Sequence, residues 1–321
     1  MSSTRRTWVT IFMIFYAVLN NGNFSNAPAL APAHSTDDSL ILTLTQQEIT
    51  VDKNETILAK LTADNNGTST WNLSNLSFVY VFPTSRQLYT SHKSFYNQSL
   101  WENQSTIKPS YDSSFEEFLP GESTSIFLPL TAPNKDGWYR FYFRPFIGNI
   151  SLDRLITINL QVGEVPKDQL LMPEKQIAVS LDDQTATLYE DKFEVAHFKI
   201  SSGREAMETP PGKYIINKKL DNVISKTSPH YSLPYWMELR TLDFLYDGYG
   251  IHGLAYFPVN SSNYTEGRNY SRDRHYTDGR MYEGWNTLGT PTTQGCVALS
   301  MYDIKLVYDW VEPEKTLIVI K

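Results

Sequence analysis

Gly289-Thr290-Pro291-Thr292-Thr293-Gln294-Gly295-Cys296-Val297 holds the one cysteine of the chain, and what flanks it decides the fold of the C-terminal half. Upstream the pattern is that of strands. Gln176-Ile177-Ala178-Val179-Ser180-Leu181 and Thr185-Ala186-Thr187-Leu188-Tyr189 read as a hairpin across Asp182-Asp183-Gln184, and Phe193 to Ile200 continues the sheet. Downstream the period changes. Ser300 is a good N-cap with Asp303 three residues on, and Ile304, Val307, Tyr308 and Val311 recur at helical spacing until Pro313 stops the run. Thr316-Leu317-Ile318-Val319-Ile320 then reads as a closing strand. The thiol is expected between sheet and helix, too far before the helix N-terminus for its dipole to favour a thiolate more than weakly.

A lone cysteine cannot form an internal disulfide, so the thiol is either a small buried apolar group or a reagent. Gly295 before it permits close approach of a substrate, and the Thr, Pro and Gln around it read as a loop, where thiols are reachable. A thiol of ordinary acidity needs a partner that lowers its pKa or removes its proton, and histidine suits that task near neutrality. His252, in Gly250-Ile251-His252-Gly253, is the candidate base, with His230 and His275 as competitors.

The N-terminus suggests export. Arg5 and Arg6 precede an apolar run from Trp8 to Leu19, then Asn20-Asn21-Gly22-Asn23 and the small-residue stretch Ala27-Pro28-Ala29-Leu30-Ala31-Pro32-Ala33, the order of a secretory signal over 1–33. Its core is shorter than the roughly 20 residues a spanning helix needs. An uncleaved anchor stays open as the alternative, and the mature chain is expected to be exported, in a bacterial envelope or secreted. A net charge of -7 and a pI near 5.4 argue against nucleic acid as a partner. No metal-ligand spacing, phosphate-binding loop or dinucleotide fingerprint stands out, so no metal and no cofactor is expected.

The 321 residues, 41% apolar, suit about two domains. Over 39–162 apolar and polar residues alternate in Leu40-Ile41-Leu42-Thr43-Leu44, in Leu76-Ser77-Phe78-Val79-Tyr80-Val81-Phe82 and in Ser125-Ile126-Phe127-Leu128-Pro129-Leu130, with turns at Asn65-Asn66-Gly67 and Pro120-Gly121 between them. Short punctuated strands of this kind predict an antiparallel sandwich, and the segment resembles an immunoglobulin-like module of envelope proteins. Residues 163–173 read as a linker and 174–321 as the second domain. Asn-x-Ser/Thr triplets recur, for example at Asn54, Asn66, Asn72, Asn97 and Asn149. They are read as a by-product of a composition rich in Asn, Ser and Thr.

Residues 174–321 resemble the L,D-transpeptidase catalytic domain (YkuD type), a β-rich fold whose signature is His-Gly followed, after a variable stretch, by Ser/Thr-His-Gly-Cys-Val/Ile. Here the matches are Ile251-His252-Gly253 and Thr293-Gln294-Gly295-Cys296-Val297, supported by Ser201-Ser202-Gly203-Arg204, by Thr209-Pro210-Pro211-Gly212-Lys213-Tyr214 and by Pro234-Tyr235-Trp236-Met237. The resemblance implies a mainly β fold, an immunoglobulin-like sandwich followed by a β-rich catalytic domain with a short helix after the cysteine. It implies that Cys296 attacks a peptidoglycan tetrapeptide stem with His252 as base, releases D-alanine and passes the acyl group to an acceptor amine. Backbone N–H groups of Gly295 and Cys296 would hold the oxyanion, and Gly253, Thr293 and Gln294 would contact substrate.

Three departures mark this chain. Gln294 stands where the motif has histidine, Ala298 where the family has Arg or Asn, and the segment 256–286 is enlarged, with Arg268, Arg272, Arg274, Arg280 and Trp285 among its residues. That segment reads either as a lid that grips substrate or as a solvated insertion. The sequence leaves open an L,D-carboxypeptidase, in which water resolves the same thioester, and a catalytically silent wall-binding protein.

Overall fold

In the computed structural model the described residues are 33–34, 40–46, 48–82, 98–103, 105–152, 154–165, 173–226, 230–241, 248–258, 274–277, 280–283 and 286–321. The N-terminal half builds two sheets from alternating strands. One holds β1 (Leu40–Leu44), β3 (Thr56–Asn65) and β5 (Ser123–Thr131), with the short strand Ser110–Tyr111 at its edge. The other holds β2 (Glu48–Val51), β7 (Ile156–Val162), β6 (Gly137–Ile147) and β4 (Leu76–Tyr80), with Thr106–Ile107 outermost. Thr124, Ile126, Leu128 and Leu130 of β5 and Ile156, Ile158, Leu160 and Val162 of β7 are buried at every second position, so period-two patterning puts one face of each strand into a common core.

The C-terminal half is a single curled sheet. Its strands are β8 (Lys175–Ser180), β9 (Thr185–Glu190), β10 (Phe193–Lys199), β11 (Gly212–Ile224), β12 (Ser232–Thr241), β13 (Gly250–Gly253), β17 (Val297–Leu299) and β18 (Leu317–Ile320). The order runs β10, β9, β8, β18, β11, β12, β13, β17. A bridge between Ser201, just past β10, and Ala298 in β17 joins the two ends. Three further strands, β14 (Tyr256–Pro258), β15 (Arg274–Thr277) and β16 (Arg280–Glu283), extend it beside β12. The remainder of the 256–286 enlargement lies outside the described residues.

Helix α1 (Met301–Trp310) starts where the sequence reading puts it. The Ser300 hydroxyl accepts from Asp303 N–H at 3.0 Å and donates to its carboxylate at 2.7 Å. It ends at Trp310, ahead of Pro313, because Glu312 before the proline is steered out of the helical region and Val311 has already turned extended. Ile304, Leu306, Val307 and Trp310 are buried.

The two halves meet along an edge. Tyr139 of β6 pairs with Glu194 of β10, Trp138 packs edge-on against Phe193 at 5.6 Å between ring centroids, and Lys192 lies 3.6 Å over the Trp138 ring. Glu190 receives the Tyr142 hydroxyl and the Arg140 guanidinium from the sandwich and the Trp310 indole N–H, at 2.7 Å, from α1. Residues 31–321 accordingly form one compact unit.

Candidate active site

Strand register brings the motif residues together. β13 and β17 run parallel with Ile251 opposite Val297 and His252 opposite Ala298, which sets Cys296 level with Gly250 and makes His252 its diagonal neighbour on the adjoining strand. Successive side chains alternate faces, so Cys296 and Ala298 share a face with Gly250 and His252. That face opens into a cavity of about 740 Å³ whose walls include Cys296, His252, Trp236, Ala298, Thr293, Gln294 and Ser201.

The imidazole of His252 is buried and held on two sides. Its Nδ1 lies 2.6 Å from the Gly253 carbonyl oxygen, and only a protonated nitrogen can bond a carbonyl, so Nδ1 carries the hydrogen and Nε2 keeps its lone pair. The ring stacks on Trp236 at 5.8 Å and 16°. Burial pushes its pKa down to about 4, the Gly253 carbonyl opposing only in part. Burial likewise pushes the Cys296 thiol up to about 11, partly offset by a backbone hydrogen bond from Gly250. Part of Cys296 reaches the cavity, but among the described residues no charged group shifts it toward a thiolate. At neutral pH the pair is therefore thiol and neutral imidazole. That arrangement suits proton removal during attack rather than a preformed ion pair.

Glycines set the close approaches. A Cβ on Gly250 would come within 2.6 Å of the Trp236 indole, so glycine there lets the indole lie flat beside His252. Gly295 has φ +108°, and a Cβ would meet the Tyr249 ring at 2.6 Å. Only glycine makes the turn into Cys296 at that position without strain.

The loop before Cys296 is clamped from β10's continuation. The Ser201 hydroxyl donates to the Thr290 carbonyl at 2.8 Å and accepts from Thr292 N–H at 3.2 Å, while Thr292 and Thr293 N–H both donate to the Ser202 carbonyl at 2.9 Å. Ser202 is held in turn by Gln184, whose Nε2 donates to its hydroxyl at 2.7 Å and whose Oε1 accepts from its N–H at 2.9 Å. The Thr293 hydroxyl donates to the Cys296 carbonyl at 2.6 Å and accepts from Gly295 N–H at 3.2 Å.

Thr293 and Gln294 line the cavity with Cys296. Gly253 does not: it is buried, and a Cβ there would strike Met301 Sδ at 2.8 Å and Ile304 at 2.9 Å. It lets α1 sit close and offers its carbonyl to His252. Gly295 N–H is directed at Thr293 rather than into the cavity. His230 is exposed and faces the Ser225 carbonyl at 2.9 Å, and the side chain of His275 lies outside the described residues. Gln184 lies remote in sequence from the loop it supports, whereas Tyr249 stands directly before Gly250-Ile251-His252-Gly253 and brings its ring beside Gly295.

Residues 174–320 match the family model described as the L,D-transpeptidase catalytic domain, YkuD. No curated protein matches the chain. Among solved structures it is similar to an L,D-transpeptidase from Mycobacterium smegmatis at 12% identity and TM-score 0.33, over 88% of this chain and 99% of that one. It is also similar to one from Mycobacterium tuberculosis H37Rv at 13% and 0.34, over 87% and 98%, and to one from Stackebrandtia nassauensis at 20% and 0.30, over 46% and 55%.

Proposed function

We propose, from the match of residues 174–320 to the L,D-transpeptidase catalytic-domain model, that this protein is an exported cysteine acyltransferase acting on peptidoglycan stem peptides in a bacterial envelope. The observation that carries the reading is the adjacency of Cys296 and His252 on paired strands at the wall of one cavity. The Cys296 sulfur attacks the carbonyl that joins an L-centre to a terminal D-alanine, and its proton passes to Nε2 of His252. The tetrahedral oxyanion is held by the Cys296 N–H, since that of Gly295 already bonds Thr293. Collapse breaks the amide bond, the imidazolium returns its proton to the departing amine, and the acyl group remains as a thioester. An acceptor amine attacks that thioester, and the crosslink forms as the thiol regains its proton. Arg5, Arg6 and the apolar run behind them support an export route to where stems occur.

Incubation of the mature protein with tetrapeptide-bearing muropeptides, followed by mass analysis, tests this reading. A crosslinked dimer is expected, and Cys296→Ala should abolish it. A D-alanine-trimmed monomer alone would make the protein a carboxypeptidase using the same thioester. Unchanged material would leave a wall-binding role for the sandwich and overturn the enzymatic reading.

A further inference from the structure

The chain has 20 asparagines, and 58 of its 321 residues are Ser or Thr, so chance places a hydroxyl residue two positions after about four of them. It follows eleven, none with a proline between. The Asn-x-Ser/Thr triplets are therefore not a by-product of composition, which corrects the expectation from the sequence. Six lie among the described residues, at Asn54, Asn66, Asn72, Asn75, Asn103 and Asn149.

The structure separates these six from other asparagines. All six are exposed, and among the described residues no hydrogen bond holds any of their Nδ2 amides. Asn65, Asn159 and Asn217 are buried or half-buried and work within the fold. Asn65 Nδ2 donates to the Phe118 carbonyl at 2.9 Å, Asn159 Oδ1 accepts from Arg140 Nε at 3.0 Å, and Asn217 Nδ2 donates to Glu238 at 2.6 Å. None of these three has a hydroxyl two residues on. Chance pairing would not sort by burial. In two triplets the hydroxyl already meets the amide. Asn72 Oδ1 accepts from the N–H of Ser74 at 2.9 Å and from its hydroxyl, and Asn103 Oδ1 accepts from the N–H of Ser105 at 2.9 Å and from its hydroxyl at 3.1 Å. Each carboxamide is anchored through its oxygen in a turn, with its nitrogen available to a reagent.

Four of the six gather at one end of the sandwich. Asn65 bonds to Phe118, which pairs with Trp71, and this sets Asn66 beside Asn72. The Asn75 carbonyl accepts from Gly148 N–H at 2.9 Å, which sets it beside Asn149. Leu76 pairs with Ile147 at this end of β6, whereas Tyr139 meets β10 eight residues away, roughly 26 Å along the strand. None of the six lines the cavity of Cys296.

Resting on the export reading above, we propose that these asparagines are sites of N-linked glycosylation, which sheathes the far end of the sandwich in saccharide and leaves the Cys296 cavity open. The donor is a saccharide carried on a lipid phosphate, used by a transferase on the outer side of the cytoplasmic membrane. Nδ2 attacks the anomeric carbon, and the carbon–oxygen bond to phosphate breaks as the carbon–nitrogen bond forms. The phosphate leaves on its lipid, and one amide proton passes to a base of the transferase.

Site-resolved peptide mass mapping of the full mature chain, purified from the cells that make it, tests the assignment. Saccharide mass is expected on Asn66, Asn72, Asn75 and Asn149, and none on Asn134 and Asn222, which are exposed without a hydroxyl two residues on. Thr68→Ala and Ser74→Ala, both at exposed positions, should each remove the saccharide from the asparagine two residues before and leave the other sites loaded. Saccharide that persists at Asn66 and Asn72 in those variants, or that appears equally on Asn134 and Asn222, overturns the assignment in favour of sequence-independent glycation. An exported wild type bare at the four clustered asparagines overturns it alone. A chain found only in the cytoplasm overturns the export reading and the modification with it.

Discussion

At the residue scale the site rests on two desolvated neutral groups. Burial holds the Cys296 thiol up at about 11 and the His252 imidazole down at about 4, so each shift disfavours the charged form of its own group. A preformed thiolate would alkylate at a rate that levels off near neutrality. This thiol should instead react with iodoacetamide ever faster as pH rises from 7 to 10, close to tenfold per pH unit, because the thiolate fraction grows without saturating below its pKa. Rate against pH on the wild type, with Cys296→Ala as blank, checks this. A plateau between pH 7 and 8 would mean that His252 holds an ion pair after all. The sequence names both residues as candidates, Cys296 from its uniqueness and its glycine and His252 from the resemblance, and register places both at one cavity. Their protonation was not legible, because it depends on Trp236 and on the Gly253 carbonyl, and neither contact is written in local sequence.

At the element scale the cavity depends on how closely β12, β13 and β17 approach. Gly250 is the point of closest contact, with the Trp236 indole occupying the space a Cβ would need. Gly250→Ala should push that indole off His252 and into the cavity. Thioester formation on Cys296 from the tetrapeptide stem should slow by at least about tenfold, with a stability loss of about 1–3 kcal/mol from overpacking. Stopped-flow fluorescence and urea unfolding on the same variant separate the two effects, and normal acylation would show that the indole's position does not matter. The hairpin of β8 and β9, the strand β10, the helix and the last strand were all readable, since each keeps a clean period and has turn or cap residues at its ends. The long β11 was not. Its register slips between Ile216 and Lys218, so the two-residue period breaks at Asn217, and Lys218-Lys219 reads as a solvated pair.

At the scale of the whole molecule, the sandwich and the curled sheet share a polar interface in which one carboxyl is poorly solvated. Glu194, paired with Tyr139 across the two halves, has its pKa pushed up to about 7 by burial, with Lys135 pulling weakly the other way. Lys135 also acts on His197 of the same strand, lowering it after burial has done so. The sign follows from the direction of the Glu194 shift. Between its ordinary 4.5 and about 7 the unfolded chain has released a proton that the folded protein keeps, so folding becomes less favourable as pH rises through that window, and the penalty is complete above 7. Glu194→Gln keeps the shape and removes the charge. Because Glu194 retains some exposure, the gain at pH 8 is set at about 1 kcal/mol, below what the full shift would give. The variant should show little gain at pH 4.5, and between pH 5 and 7 its stability should fall less steeply than that of the wild type. Urea unfolding at pH 4.5, 6 and 8 measures both. Parallel curves for the two proteins would mean that Glu194 stays solvated in the folded state, and that Glu190, with its Tyr142, Arg140 and Trp310 contacts, carries the polar part of the joint together with the Arg140–Asp191 and Lys192–Glu48 ion pairs.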